Sequence, residues 1–91
     1  MSNVRMNYLL VTIMIRQIER IERLHNLIRL KATGTVRECA QSLQISERQL
    51  FRMLEEMKDL GAPIDYDKNR GSYYYTDPVK WRFGFKPKKD R

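Results

Sequence analysis

The chain has 91 residues, enough for one small domain and too few for two sizeable ones. A hydrophobic content of 42% excludes wholesale disorder, and a single cysteine, Cys39, excludes an intrachain disulfide or a cysteine-based metal site and suits a reducing compartment. The formal net charge of +7, from 18 Lys and Arg against 11 Asp and Glu, favours a polyanionic partner, nucleic acid ahead of an acidic membrane surface.

That charge is unevenly spread. Residues 16–34 hold five basic and two acidic side chains, and residues 79–91 hold six and one. Residues 35–78 hold six basic against eight acidic. The positive excess therefore flanks a mildly acidic centre.

Residues 1–15 contain the apolar run YLLVTIMI (residues 8–15), far short of the ~20 residues that cross a bilayer. Arg5 is the only charge before it and no small-residue cleavage site follows, so it does not read as a signal peptide, and a cytoplasmic location is expected. Leu10 and Met14 continue a three- and four-residue spacing through Ile18, Ile21, Leu24 and Ile28, which suits a helix. The β-branched content of the run suits a strand. Met14 is an alternative translation start.

Residues 16–32, RQIERIERLHNLIRLKA, form an amphipathic helical pattern with Ile18, Ile21, Leu24, Leu27 and Ile28 on one stripe. Glu19 and Arg23 make an i,i+4 pair in the favourable orientation. Thr33 and Gly34 end the helix, with Gly34 available for a left-handed C′ position. His25 stands on the apolar face without a second histidine to share a metal, and reads as a packed side chain.

Thr35 is the expected N-cap of a short helix over 36–43, and Glu38 three residues later completes a capping box. Val36, Cys39, Ala40 and Leu43 follow the i, i+3, i+4, i+7 template, so Cys39 is a small core residue and Ala40 permits close approach of the next helix. Gln44 and Ile45 make the turn, with Ile45 pointing inward. Ser46 caps a third helix over 46–60, with Gln49 completing a second capping box. Leu50, Met53, Leu54, Met57 and Leu60 form its buried stripe, and Gly61 and Pro63 stop it.

The period then falls to two. Residues 63–66 read as a strand, 67–72 as a loop carrying Lys68 and Arg70, and 73–76 as the returning strand of a hairpin. Alternate rings of Tyr73, Tyr74 and Tyr75 should pack inward. Asp77 and Pro78 break the hairpin. Trp81, Phe83 and Phe85 alternate with Arg82 and Gly84, as a third short strand or as an aromatic clamp, before a basic tail at 86–91. The expected organisation is an apolar extension (1–15), a mainly α domain with a small β hairpin (16–78) and an aromatic, basic tail (79–91).

Three helices followed by a hairpin is the order of a winged helix-turn-helix. An α-helix fits the major groove, where each base pair shows a distinct donor and acceptor pattern. In that reading the start of the third helix enters the groove, which nominates Ser46, Glu47, Arg48, Gln49, Phe51 and Arg52. Arg pairs bidentately with guanine and Gln with adenine. Lys68 and Arg70 at the hairpin, and Thr35 and Arg37 at the second helix, are expected on phosphates or in the minor groove. No catalytic pair, metal cluster, cofactor motif or small-molecule site stands out. A homodimer through residues 1–32 is expected, because the apolar extension exceeds what a small core can cover.

Residues 18–75 resemble the N-terminal winged-helix domain of DeoR-type and WYL-domain transcriptional regulators. Ile21-Glu22-Arg23-Leu24 is similar to the end of the family's "R-x-x-R-L" first helix. Residues 39–52, CAQSLQISERQLFR, are similar to its "L-A-x-x-L-x-V-S-x-R-T-[IL]-Y-R-D". Leu60-Gly61-Ala62-Pro63-Ile64 and Gly71-Ser72-Tyr73 are similar to its "L-G-x-P-I" and "G-G-Y". The resemblance implies a bacterial transcriptional regulator that binds double-stranded DNA, with contacts from Arg48, Gln49, Phe51 and Arg52 and without the family's ligand-sensing domain. The chain departs from the pattern at Gln44, where the turn usually has glycine, and at Met53, where it has aspartate. Two other readings stand beside it. One is a winged-helix protein-interaction module, favoured by Glu47, Glu55, Glu56 and Asp59. The other is a single-strand binder using the tyrosines and the basic tail.

Overall fold

The computed structural model describes residues 2–82, and its side chains from Asn7 onward. The chain forms three helices, α1 (Ser2–Arg29), α2 (Val36–Leu43) and α3 (Glu47–Asp59), followed by a two-stranded antiparallel sheet of β1 (Ile64–Asp67) and β2 (Ser72–Tyr75). It is mainly helical with a small β hairpin, as expected.

The ambiguous apolar run is helical. Extension and first helix are one element of 28 residues, which at 1.5 Å per residue spans about 42 Å. Only its C-terminal half meets the core. Leu24 and Ile28 are fully buried, whereas Leu10 and Met14 are 55% and 57% exposed, so the apolar spacing that links them does not mark a common buried face. Towards the N-terminus of α1 burial fades at Gln17 and Ile18.

The core joins Leu24 and Ile28 of α1, Cys39, Ala40 and Leu43 of α2, Leu50, Met53, Leu54 and Met57 of α3, and Ile64 and Tyr73 of the hairpin. Val36 and Ile45 pack against it, as their spacing predicts. Leu60 does not join it. It is the C-cap of α3 and 74% exposed.

Both capping boxes form. Thr35 Oγ1 accepts from Glu38 N (3.2 Å) while Glu38 Oε1 accepts from Thr35 N (2.9 Å), and Ser46 with Gln49 repeats the pattern at 3.0 and 3.1 Å. Gly34 serves the first box. At φ +71°, a Cβ there would sit 2.6 Å from Glu38 Oε1, so only glycine leaves the carboxylate room to reach back.

All three helices end alike. Lys31, Gln44 and Gly61 adopt left-handed conformations. Their N–H groups donate to the Ile28, Gln41 and Lys58 carbonyls, and the residues after them, Ala32, Ile45 and Ala62, donate to Leu27, Ala40 and Met57. These are paired 5→2 and 6→1 bonds, the Schellman ending. The first helix therefore closes at Arg29 with Lys31 rather than Gly34 as its C′ residue, a few residues before the sequence pattern suggests. Two of the three endings lack the glycine that removes Cβ strain. Gln44→Gly should raise stability by about 0.5–1 kcal/mol, after the greater freedom of glycine in the unfolded chain is discounted. A urea unfolding midpoint that stays put or falls would mean the Gln44 side chain contributes more than the strain costs.

The hairpin pairs Ile64 with Tyr75 and Tyr66 with Tyr73 on its inner face. The strands lie one residue from the expected limits, with a tighter loop over 68–71. Tyr66 and Tyr73 meet edge to face at 4.9 Å, and Tyr75 reaches His25, while Tyr74 faces away under the Lys31 ammonium, 5.8 Å from its ring centre. The alternation expected of the tyrosines is present. Among the described residues no third strand follows. Trp81 instead lines a pocket with His25, Ala62 and Tyr75, which favours the clamp. Phe83, Phe85 and the tail at 86–91 lie outside the described residues.

One buried polar node fastens the hairpin to the helices. Tyr73 N donates to Thr33 Oγ1 (2.9 Å) and Thr33 N donates to Ser72 Oγ (3.0 Å), the two hydroxyl oxygens lying 3.0 Å apart. Thr33 Oγ1 also reaches the Gly34 carbonyl and Ser72 Oγ the Tyr73 carbonyl. The loop between α1 and α2 thus covers the outer edge of β2, which would otherwise present unpaired backbone groups.

Candidate nucleic-acid interface

The surface of α3 follows from its burial. Leu50, Met53, Leu54 and Met57 turn one stripe inward, so Arg48, Phe51, Arg52, Glu55 and Asp59 occupy the outer faces, all exposed. Glu47 opens the helix beside Ser46, where a carboxylate suits the helix dipole. Phe51 is 51% exposed, a large apolar ring among charges.

The two capping boxes change what three of the nominated residues can offer. Gln49 Oε1 is held by Ser46 N–H, so only its amide nitrogen remains to donate. A bidentate contact with adenine needs both atoms, so with the box closed it would have to share the amide oxygen with Ser46 N–H. Ser46 and Thr35 accept helix N–H groups through their hydroxyl oxygens, leaving each hydroxyl proton to donate outward. Arg37, the second residue of α2, is exposed.

At the hairpin, Asp67 shapes the loop by accepting from Asn69 N (2.9 Å) and Arg70 N (3.1 Å). Lys68 is left exposed at the tip. Arg70 folds back, its Nε donating to the Lys31 carbonyl at the end of α1 (3.3 Å). The two basic residues paired by sequence therefore do different things.

Two features escape a reading confined to the turn. A cleft of about 250 Å³ between α1 and α3 is lined by Gln17, Arg20, Gln49, Arg52 and Glu56, so Arg20 faces the same groove as Arg52. A second cleft brings Arg16, Arg20 and Arg23 to Gln44 at the α2–α3 turn. The signal was present as an i, i+4, i+7 spacing of arginines on α1. Arg23 Nη2 donates to the Ser42 carbonyl (2.8 Å) at the C-terminus of α2, not to the expected Glu19. Among the described residues the one ion pair is Lys58–Glu55 at 3.7 Å, which is solvent-exposed and contributes little. Arg37, Arg48 and Arg52 thus make no ion pair among the described residues.

Nothing in the described residues gathers three metal-ligating side chains. Burial pushes the Cys39 thiol up to about 11, so it remains protonated and unreactive at neutral pH. His25 is buried, and its Nδ1 lies 2.7 Å from Tyr75 Oη. Desolvation, with Arg29 adding to it, lowers the imidazole pKa, and burial raises the phenol to about 12. The phenol therefore donates and the neutral imidazole accepts, a structural bond between α1 and β2. The pocket beside them holds about 150 Å³, below the range of ordinary ligand sites, and the buried Trp81 indole N–H has no hydrogen-bond partner there. No helix is long and apolar enough to cross a membrane among the described residues.

No family model, no curated protein and no solved structure matches the chain.

Proposed function

We propose that the chain is a winged helix-turn-helix protein that binds double-stranded DNA and acts as a small bacterial, cytoplasmic transcriptional regulator of the DeoR or WYL kind. The observation that carries this reading is the outer face of α3. The helix is anchored along one stripe, capped at its start, and presents Arg48 and Arg52 to solvent with no ion pair among the described residues. In the proposal its first turns enter the major groove. Thr35 and Arg37 touch the phosphate backbone, as does Lys68 on the wing. Arg20 and Arg16 add positive charge beside the turn, which offsets the acidic excess of residues 35–78.

Arg48→Ala should weaken binding to a selected duplex by about 1–3 kcal/mol and relax base preference, whereas Lys68→Ala should weaken all sequences about equally and reduce the salt slope by roughly one. Fluorescence anisotropy against labelled duplexes at several salt concentrations reads both. Absence of duplex binding at low salt would remove the reading.

A second reading draws on Phe51. A half-exposed ring among Glu47, Glu55 and Glu56 suits a basic protein partner. It predicts salt-independent indifference to DNA in the same titration.

A further inference from the structure

We infer that the arginine-lined groove between α1 and α3 holds the phosphate backbone of the DNA strand that borders α3, an inference that rests on the DNA-binding reading and makes α1 a second DNA-contacting element. Arg20 lines both clefts, one with Gln49, Arg52 and Glu56 of α3 and the other with Arg16, Arg23 and Gln44, so the two meet at its side chain. Four guanidinium groups gather there against the carboxylates of Glu19 and Glu56, and none of the six makes an ion pair among the described residues. Cations held together without counter-charges repel one another, and a row of phosphates relieves that repulsion. Arg23 is fixed in advance, because its Nη2 donates to the Ser42 carbonyl (2.8 Å) and leaves N–H donors to spare.

The place of the groove selects the partner. An α-helix is about 10–12 Å across and the major groove about 12 Å wide, so a helix lying in it has a wall of phosphates along each flank. Leu50, Met53 and Met57 hold α3 to the core. The flank beside them carries Gln49, Arg52 and Glu56, which meet Gln17 and Arg20 of α1 across the cleft. The strand on that flank therefore runs against α1. Arg16, Arg20 and Arg23 recur at steps of four and three, on one face of the helix, over about 10 Å. At about 3.4 Å of rise per phosphate, that length follows about three phosphates of one strand. Glu56 bounds the track on its α3 side, since its carboxylate repels phosphate.

Titration of labelled duplexes at several salt concentrations tests the groove. Arg16→Gln and Arg20→Gln should each lower the slope of log K against log salt by about 0.9, so that a fourfold rise in salt weakens each variant about 3.5-fold less than the wild type. Each should lose affinity equally for every duplex sequence, unlike Arg48→Ala, because phosphates carry no sequence information. Arg16 is exposed, so its replacement leaves the fold alone, and an unchanged urea midpoint is the control for the half-buried Arg20. Ethylating single phosphates should locate the contact: a short run on one strand should matter to the wild type and not to the double variant. Unchanged slopes in both variants, while Arg48→Ala still weakens binding, would overturn the inference and leave the proposed function standing. So would losses that differ among sequences, which would make these arginines base readers. A wild type that binds no duplex at low salt, or that prefers single strands, would overturn both.

Discussion

Leu50→Ala should destabilise the protein by about 3–4 kcal/mol, read as a lower urea midpoint at unchanged slope. Leu50 is fully buried in the first turn of α3, among the side chains that join α1, α2 and the hairpin. Its truncation loses the transfer energy of three carbons and leaves a cavity that two capped helices cannot easily close. A domain of this size has only about 5–15 kcal/mol to lose, so a measurable fraction would unfold at physiological temperature. The substitution also separates stability from recognition. Leu50→Ala should lower DNA affinity only in proportion to unfolding, whereas Arg48→Ala should leave the urea midpoint almost unchanged. A loss below about 1 kcal/mol would mean that α2 and α3 repack around the gap.

Thr33→Val should cost about 2–3 kcal/mol, although the two side chains are nearly the same size. Valine keeps the packing and removes the hydroxyl, so the buried Tyr73 N–H loses its acceptor. The Gly34 carbonyl and Ser72 Oγ lose a neighbour at the same time. Ser72→Ala should cost a comparable amount through the Thr33 N–H. Because the contact between the two oxygens is counted in both single variants, the double variant should lose less than the two losses combined. Faster amide exchange at Tyr73 without a change in α3 would locate the damage at the hairpin edge. Additive losses would mean that the two hydroxyls act independently.

Local chemistry was legible wherever one residue acts on its sequence neighbours. Thr35 with Glu38 and Ser46 with Gln49 could be assigned as capping boxes because each bond spans three residues. Cys39 and Leu43 could be placed in the core from helical spacing alone. Leu60 fitted the same spacing and is exposed, since periodicity carries no mark of where the core that covers a helix ends. Gly34 looked like a C′ residue, yet Lys31 ends α1, because a Schellman ending is decided by which carbonyls remain free. Leu10 and Met14 were spaced like core residues, but among the described residues no core reaches that height of α1 and both are more than half exposed.

The nominated contact residues divide in the same way. The exposure of Arg48 and Arg52 follows from the burial of Leu50 and Met53 and could be read from spacing. That Gln49 spends its amide oxygen on a cap and Arg70 spends its Nε on Lys31 could not. Nor could the approach of Arg20 to the Arg52 groove, since the two stand 32 positions apart in the chain.

By itself the sequence determined the starts of α2 and α3, the apolar stripe of α3 from Leu50 to Met57, the turn at Gln44 and Ile45, and the hairpin, because hydrogen bonding and hydrophobic periodicity over a few residues settle each of these. Only the tertiary structure decided that the apolar extension is helical and uncovered. It alone also showed that Thr33 and Ser72 fasten the hairpin, and that Lys68 and Arg70 part company. Each of those depends on groups brought together from distant positions, and no local pattern records them.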